Sequence, residues 1–440
     1  MSGSGKSTGI LRAACVVLAV VLCARGAWWV WKWQQAGAAP GRLTAFAEEG
    51  APVELAPDLE SRIETFCGDC HAVPLPGSFP RDAWPREVRM GYAYYATSSR
   101  QDLDPPPMEA TIAYYQQRAP VQLVFPGIEQ ARHDLKVSFS VERLTMDPTG
   151  GILPAVGHVT WIPLQTNGEP VLVVSDMRRG SVKSVALGSG SRKPRLLARL
   201  QNPCHVEPCD LDQDGAVDLV VADLGGFIAQ DHDRGRIVWL RYRPEQDAYE
   251  QVVIASGLGR VADVRPADFD GDGDVDLLVA VFGMNLTGDI RMLWNVAEAG
   301  EPPRFEVEII DPRPGTIHVP PCDLNGDGYL DFVALISQEH EQVAVFMNQR
   351  GSDETTASFH HQSVWEGPDL TFGSSGIDLA DLDADGDLDI LYTNGDAFDN
   401  SFVNPSHGIQ WLENQGNLAF TYHRLADLTG AYAALPGDID

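Results

Sequence analysis

The chain has 440 residues, 44% hydrophobic and 21% charged, which can bury a sizeable core and is long for one ordinary domain, so two or three units are expected. Its 62 acidic against 32 basic residues leave a net charge of −30. That excludes a nucleic-acid partner, which needs a basic surface, and points to a solubilised surface or many cation sites.

Residues 1–34 read as a signal anchor. Lys6 and Arg12 precede an apolar run from Ala13 to Ala24, and Trp28, Trp29, Trp31 and Trp33 follow Arg25. The run alone has about the length of a signal-peptide core. Carried on to Trp33, with Arg25 snorkelling, it can cross a bilayer, and the tryptophans form an interfacial belt. The expectation is an N-terminal transmembrane helix, with the rest membrane-anchored and facing the periplasm or the cell exterior. The alternative is a cleaved leader, with Ala45-Phe46-Ala47 a distant candidate site. Gly3 to Thr8 mimics part of a phosphate loop, but no strand precedes it.

A Pro/Ala/Glu-rich linker (35–57) leads to Cys67-Gly68-Asp69-Cys70-His71. Two thiols one helical turn apart can add to the two vinyl groups of haem, and the adjacent histidine then faces the iron. Leu59 to Phe66 has helical spacing into this motif. A loop with Pro74, Pro76 and Pro80 follows, then helices expected from Trp84 to Tyr95 and after Pro105-Pro106-Pro107, the last carrying Ile112, Tyr114 and Tyr115. Three short helices around a haem motif resemble a small class I cytochrome c domain, here residues 58–120. The resemblance implies one covalent haem, thioether-linked through Cys67 and Cys70, with His71 as proximal ligand. Met90 is the expected distal ligand, with Met108 the alternative and His133 an outside candidate.

After a second linker (121–149) the chain repeats itself. Loops carry Asp210, Asp212, Asp214 and Asp218; Asp268, Asp270, Asp272 and Asp276; Asp323, Asn325, Asp327 and Asp331; and Asp381, Asp383, Asp385 and Asp389, with starts 58, 55 and 58 residues apart. Oxygen ligands at positions 1, 3, 5 and 9, with glycine at 6, suit calcium, about four ions in all. An EF-hand needs glutamate at position 12, where Val221, Val279, Ala334 and Tyr392 stand. β-branched runs follow each loop, so each loop joins two strands. Such a repeat resembles the FG-GAP/VCBS blade of integrin-type β-propellers over residues 150–440. The resemblance implies an all-β propeller of six or seven blades, truncated at the C-terminus, where Asp438 and Asp440 look like the opening of another loop. Residues 158–186 look like a degenerate blade. The whole reads as a multidomain chain: anchor, small all-α haem domain, then propeller.

Five residues before each loop a polar position recurs: His205, Asp263 and His318, with His158 equivalent in the first unit and Gly376 departing in the last. On innermost strands these positions ring the channel, where they can bind a transition metal or an anionic ligand, or make an inter-blade hydrogen bond. Cys209 and Cys322 alternate with alanines and read as packing thiols. The leading functional expectation is a monohaem electron carrier with a calcium-stabilised propeller that docks a redox partner protein, a polysaccharide or a surface protein. The alternatives are a propeller oxidoreductase that delivers substrate electrons to the haem, and a cell-surface adhesion or carbohydrate-binding protein.

Overall fold

The computed structural model describes residues 55–437, apart from 70–72, 98–99, 126–143, 147–151, 165–167, 188–191, 350–356, 369–371, 397–403 and positions 229, 285, 299 and 339. Helices come first: α1 (Leu59–Cys67), a 3-10 turn (Pro76–Ser78), α2 (Trp84–Thr97) and α3 (Met108–Arg118). Leu59, Ile63 and Phe66 recur at helical spacing and bury one face of α1. Its end is closed by the Gly68 N–H, which donates to Glu64 O at 2.9 Å. Three prolines cannot continue a helix, and α3 starts on the residue after them. The helices share a core of Leu59, Ile63, Trp84, Val88, Ile112, Tyr114, Tyr115 and Ala119. Trp84 stacks on Tyr115 with centroids 3.8 Å apart, and its Nε1 donates to Pro76 O at 3.1 Å.

The strands fall into five blades. Blade 1 holds β1 (Val156–Ile162), β2 (Val171–Asp176), β3 (Ser181–Val185) and β4 (Arg195–Arg199). Blade 2 holds β5 (Pro203–Cys209), β6 (Asp218–Asp223), β7 (Gly235–Arg243) and β8 (Ala248–Leu258). Blade 3 holds β9 (Val261–Ala267), β10 (Asp276–Val281), β11 (Asp289–Asn295) and β12 (Phe305–Asp311). Blade 4 holds β13 (Thr316–His318), β14 (Pro321–Cys322), β15 (Asp331–Ile336), β16 (Gln342–Asn348) and β17 (Phe359–Glu366). Blade 5 holds β18 (Ser374–Ala380), β19 (Asp389–Asn394), β20 (Gly408–Asn414) and β21 (Phe420–Asp427).

In each blade the strands lie antiparallel in chain order. In blade 4 the first strand is split into β13 and β14, both paired to β15, because Pro320 and Pro321 remove ladder donors. Strands β6, β10, β15 and β19 are buried along their whole length; neighbouring blades cover both faces of the first three, and blade 4 covers one face of β19. That is why their sequences are continuous apolar runs rather than alternations. Leu219 and Val221 pack with Val173 of blade 1, Val220 and Ala222 with Val279 of blade 3. Phe332 and Ala334 pack with Leu278 of blade 3, Val333 and Leu335 with Tyr392 of blade 5.

Two sequence expectations change, and a third falls outside the described residues. The described residues form five blades, not six or seven, and residues 156–199 make a complete four-stranded blade without an acidic loop. The helical segment is not a class I cytochrome fold within a multidomain chain. Residues 55–440 form one unit, and the middle of the helix cluster is protein, filled by the Trp84–Tyr115 stack and by Phe66 against Tyr92 at 4.9 Å. Finally, the transmembrane helix expected in residues 1–34 lies outside the described residues, and among those no helix is long and apolar enough to cross a membrane.

Candidate calcium loops and an axial histidine–carboxylate cluster

Each acidic loop leaves the first strand of a blade and enters the second, so all four hang from the same edge of the ring. Their internal bonding repeats. At position 1 the two carboxylate oxygens accept loop N–H groups: Asp210 from Asp214 and Gly215 at 3.0 and 2.9 Å, Asp381 from Asp385 and Gly386 at 3.1 Å each. Asp268 and Asp323 do the same with Gly271 and Gly273, and with Gly326 and Gly328. The turn at position 6 requires φ values of 85° at Gly215 and 101° at Gly386, which glycine alone adopts without strain. Carboxylates therefore crowd one point. Ligand oxygens of Asp210, Asp212 and Asp218 lie within 4.8 Å of one another, as do those of Asp268, Asp270 and Asp276, and of Asp381, Asp383 and Asp385. In the remaining loop Asn325 Nδ2 donates to Asp327 Oδ2 at 2.9 Å.

Position 9 is different in kind. Asp218, Asp276, Asp331 and Asp389 are at most 1% exposed. One oxygen of each accepts a third-strand N–H, from Tyr242, Asn295, Asn348 and Asn414, at 2.7–2.8 Å. The other accepts the loop N–H of Phe269, Leu324 or Leu382 at 2.9–3.1 Å, or the indole Nε1 of Trp239 at 2.8 Å. Burial outweighs these bonds and pushes Asp218 up to about 6 and Asp276 to about 7. The spacing marked these four only as metal ligands; the structure also makes them the clamp between loop and third strand. The all-oxygen donor set fits calcium, which would neutralise the crowding.

The recurring polar position converges on the inner strands. The rings of His158 on β1 and His205 on β5 stack with centroids 4.0 Å apart. His205 Nε2 lies 3.2 Å from Asp263 Oδ1 on β9, and His318 Nδ1 on β13 lies 3.7 Å from Asp263 Oδ2. Gly376 stays out of the ring because a Cβ there would meet Tyr432 O at 2.4 Å. Asp263 is fully buried and receives the N–H groups of Val264 and Val319, both at 2.9 Å. Burial would raise its carboxyl, but Arg265 and His205 outweigh it and hold it well below the usual range. Burial, with His205 beside it, lowers His158 to about 2.

Three members escaped the sequence reading: Glu207, Arg265 and Asp378. Arg265 pairs with Glu207 at 2.8 Å and with Asp263 at 3.0 Å, and the Asp378 carboxylate acts on the same guanidinium. The signal was there, because positions two apart on a strand share a face. The same register, advanced by two from His205, Asp263 and Gly376, reads Glu207, Arg265 and Asp378.

The expected haem ligands are only partly in view. Cys70, His71 and His133 lie outside the described residues. Cys67 ends α1, half-buried against the helix core, and Met108 packs against that same core. Met90 is half-buried on α2 and is not part of that cluster. Cys204 and Cys322 are buried and Cys209 half-buried, all three free thiols that burial raises above the ordinary range.

Residues 205–279 and 323–392 match the profile of an FG-GAP-like repeat, so the chain carries FG-GAP repeats in a five-bladed propeller. No curated protein matches it. Among solved structures, it is similar to an Agrocybe aegerita lectin described as recognising non-reducing terminal N-acetylglucosamine (13% identity, TM-score 0.33, 62% of this chain and 81% of that one). A nidogen/laminin complex is similar at 11% identity and TM-score 0.36, over 62% and 81% of the two chains. The exotype rhamnogalacturonan lyase YesX is similar at 12% identity and TM-score 0.35, over 65% and 52%.

Proposed function

We propose that this chain is an exported binding protein whose propeller, stiffened by calcium, docks a polysaccharide or a surface protein. The observation that carries this reading is the loop edge. Four acidic turns of one design sit side by side on one rim, each with its carboxylates already oriented by loop N–H groups. Four divalent cations there would cancel much of the local negative charge and make that rim a fixed platform. The test is thermal unfolding and retention on insoluble polysaccharides, each with calcium and with chelator. Calcium should raise the melting temperature and retention together. A melting curve indifferent to chelator sinks the calcium half, and no retention on any polysaccharide leaves a surface protein as the partner.

A second reading rests on the Cys67-x-x-Cys70-His71 motif. Cys67 stands at the rim of an apolar aromatic core, beside Tyr115, whose phenol is raised first by burial and then by Cys67. This is a setting that suits one thioether of a covalent haem. Cys67 and Cys70 would hold the group and His71 would ligate its iron, with Met108 the sulfur packed against the same core. Bound, it would supply a one-electron redox centre for a partner protein. Haem staining of a denaturing gel tests this, and a band lost in Cys67→Ser with Cys70→Ser is the expected result. An unstained wild-type chain, produced with the haem-attachment machinery, overturns it.

A further inference from the structure

We infer that the inner strands of blades 2 to 4 form a binding site for a divalent transition-metal ion, with His205, Asp263 and His318 as ligands and Glu207 as a fourth donor. This site is distinct from the calcium loops in place and in chemistry. Ligand atoms of His205, Asp263 and His318 lie within 4.8 Å of one another, and those of His158, His205 and Glu207 form an overlapping set. Imidazole nitrogens mixed with carboxylates suit zinc or its first-row neighbours, whereas the loops offer oxygen alone.

Arg265 donates to Glu207 Oε1 at 2.8 Å and to Asp263 Oδ2 at 3.0 Å, and His205 closes the other side of the cluster. His205 Nε2 faces two carboxylate oxygens, Glu207 Oε1 at 2.7 Å and Asp263 Oδ1 at 3.2 Å. One imidazole N–H can point at only one of them, whereas an ion at that place would be shared by all three. Two ligands on one zinc, each about 2.0–2.2 Å from it, stand roughly 3.3 Å apart when tetrahedral, close to the His205–Asp263 separation. Asp263 is aimed as a metal carboxylate should be, with both oxygens fixed by the backbone N–H groups of Val264 and Val319. Charge is consistent as well. Glu207 and Asp263 against Arg265 leave one negative charge, and Asp378 adds a third carboxylate nearby. Because the three main ligands come from β5, β9 and β13, the ion would bridge three blades at the axis.

The test uses the full chain, stripped with chelator and returned to saturating calcium, then titrated with Zn²⁺ by calorimetry. One site should appear that calcium does not compete away. It should weaken by more than about 100-fold, beyond the usual loss for an outer-shell partner, in His318→Ala and in His205→Ala, and persist in the loop variant Asp385→Asn. His318 is 26% exposed, so its truncation is the safer variant, and a melting curve checks that it folds. Absence of a calcium-resistant zinc site in the wild type, or an undiminished one in a folded His318→Ala, overturns the assignment.

Discussion

His158 and His205 belong to different blades, yet their imidazoles stack at 4.0 Å with only 23° between the ring planes. The contact joins the first two inner strands through side chains, beside the packing of Val173 on Val221. His205 then leads to Asp263 and Arg265, so one polar chain crosses three blades.

Arg265 is the charge that keeps this chain affordable. Arg265→Met leaves Glu207 and the fully buried Asp263 uncompensated and should cost about 3–5 kcal/mol, as for other broken buried pairs. Adding Asp263→Asn should recover part of the loss. Urea unfolding of the two variants measures it, and a neutral Arg265→Met would show that solvent reaches the axis.

Positions 9 and 5 of one loop should behave differently. Asp389 holds the N–H groups of Leu382 and Asn414 at 2.9 and 2.8 Å, so Asp389→Ala should cost roughly 3 kcal/mol even without calcium, and more with it. Asp385 is exposed, and Asp385→Ala should matter only when calcium is present. Melting curves of both variants, with and without chelator, separate the clamp from the ligand.

Glu341 predicts a pH dependence. It is 1% exposed, and its Oε2 accepts the Ser374 N–H at 2.9 Å and the Ser374 hydroxyl. Burial raises it to about 7, against about 4.3 in an unfolded chain. As pH rises from about 4.3 to 7 the unfolded chain ionises while the native one keeps its proton. Stability therefore falls across that window, by up to about 4 kcal/mol. Glu341→Gln should remove this share of the slope, leaving that of Asp218 and Asp276, and be the more stable form at pH 8, measured by denaturant unfolding at a series of pH values.

If haem is attached, the sulfur to test is the one packed against the same core as Cys67. Met108→Ala should lower the reduction potential, whereas Met90→Ala should leave it near the wild-type value. Potentiometric titration of both variants decides which sulfur sits on the iron.

The blades with acidic loops were legible because Asp-x-Asp-x-Asp-Gly admits few backbone shapes and the runs after it admit little but buried strand. The first blade was fainter, since β1 to β4 carry no such loop and show only short apolar stretches. Blade number was not legible, because it depends on how Phe332 and Val333 pack to either side rather than on any motif. At the axis, His205 and Asp263 were visible by register. Glu207 and Arg265 stand two positions further along the same strands, in the same register, but their pairing across 58 residues is set by the packing of blades 2 and 3 and not by either strand alone.

The aspartate clamp at position 9 has a consequence for how such a chain can change over generations. Blades 2 to 5 each carry their own ruler: one carboxylate measures the distance from loop to third strand, whatever lies beyond. The connection between β19 and β20 is longer than that between β15 and β16, yet Asp389 reaches Asn414 as Asp331 reaches Asn348, at 2.8 and 2.7 Å. Hairpins can therefore lengthen, shorten or acquire new side chains without shifting the alignment of the strands they join. Inherited variation is steered to those hairpins, and a duplicated segment arrives with its register already set.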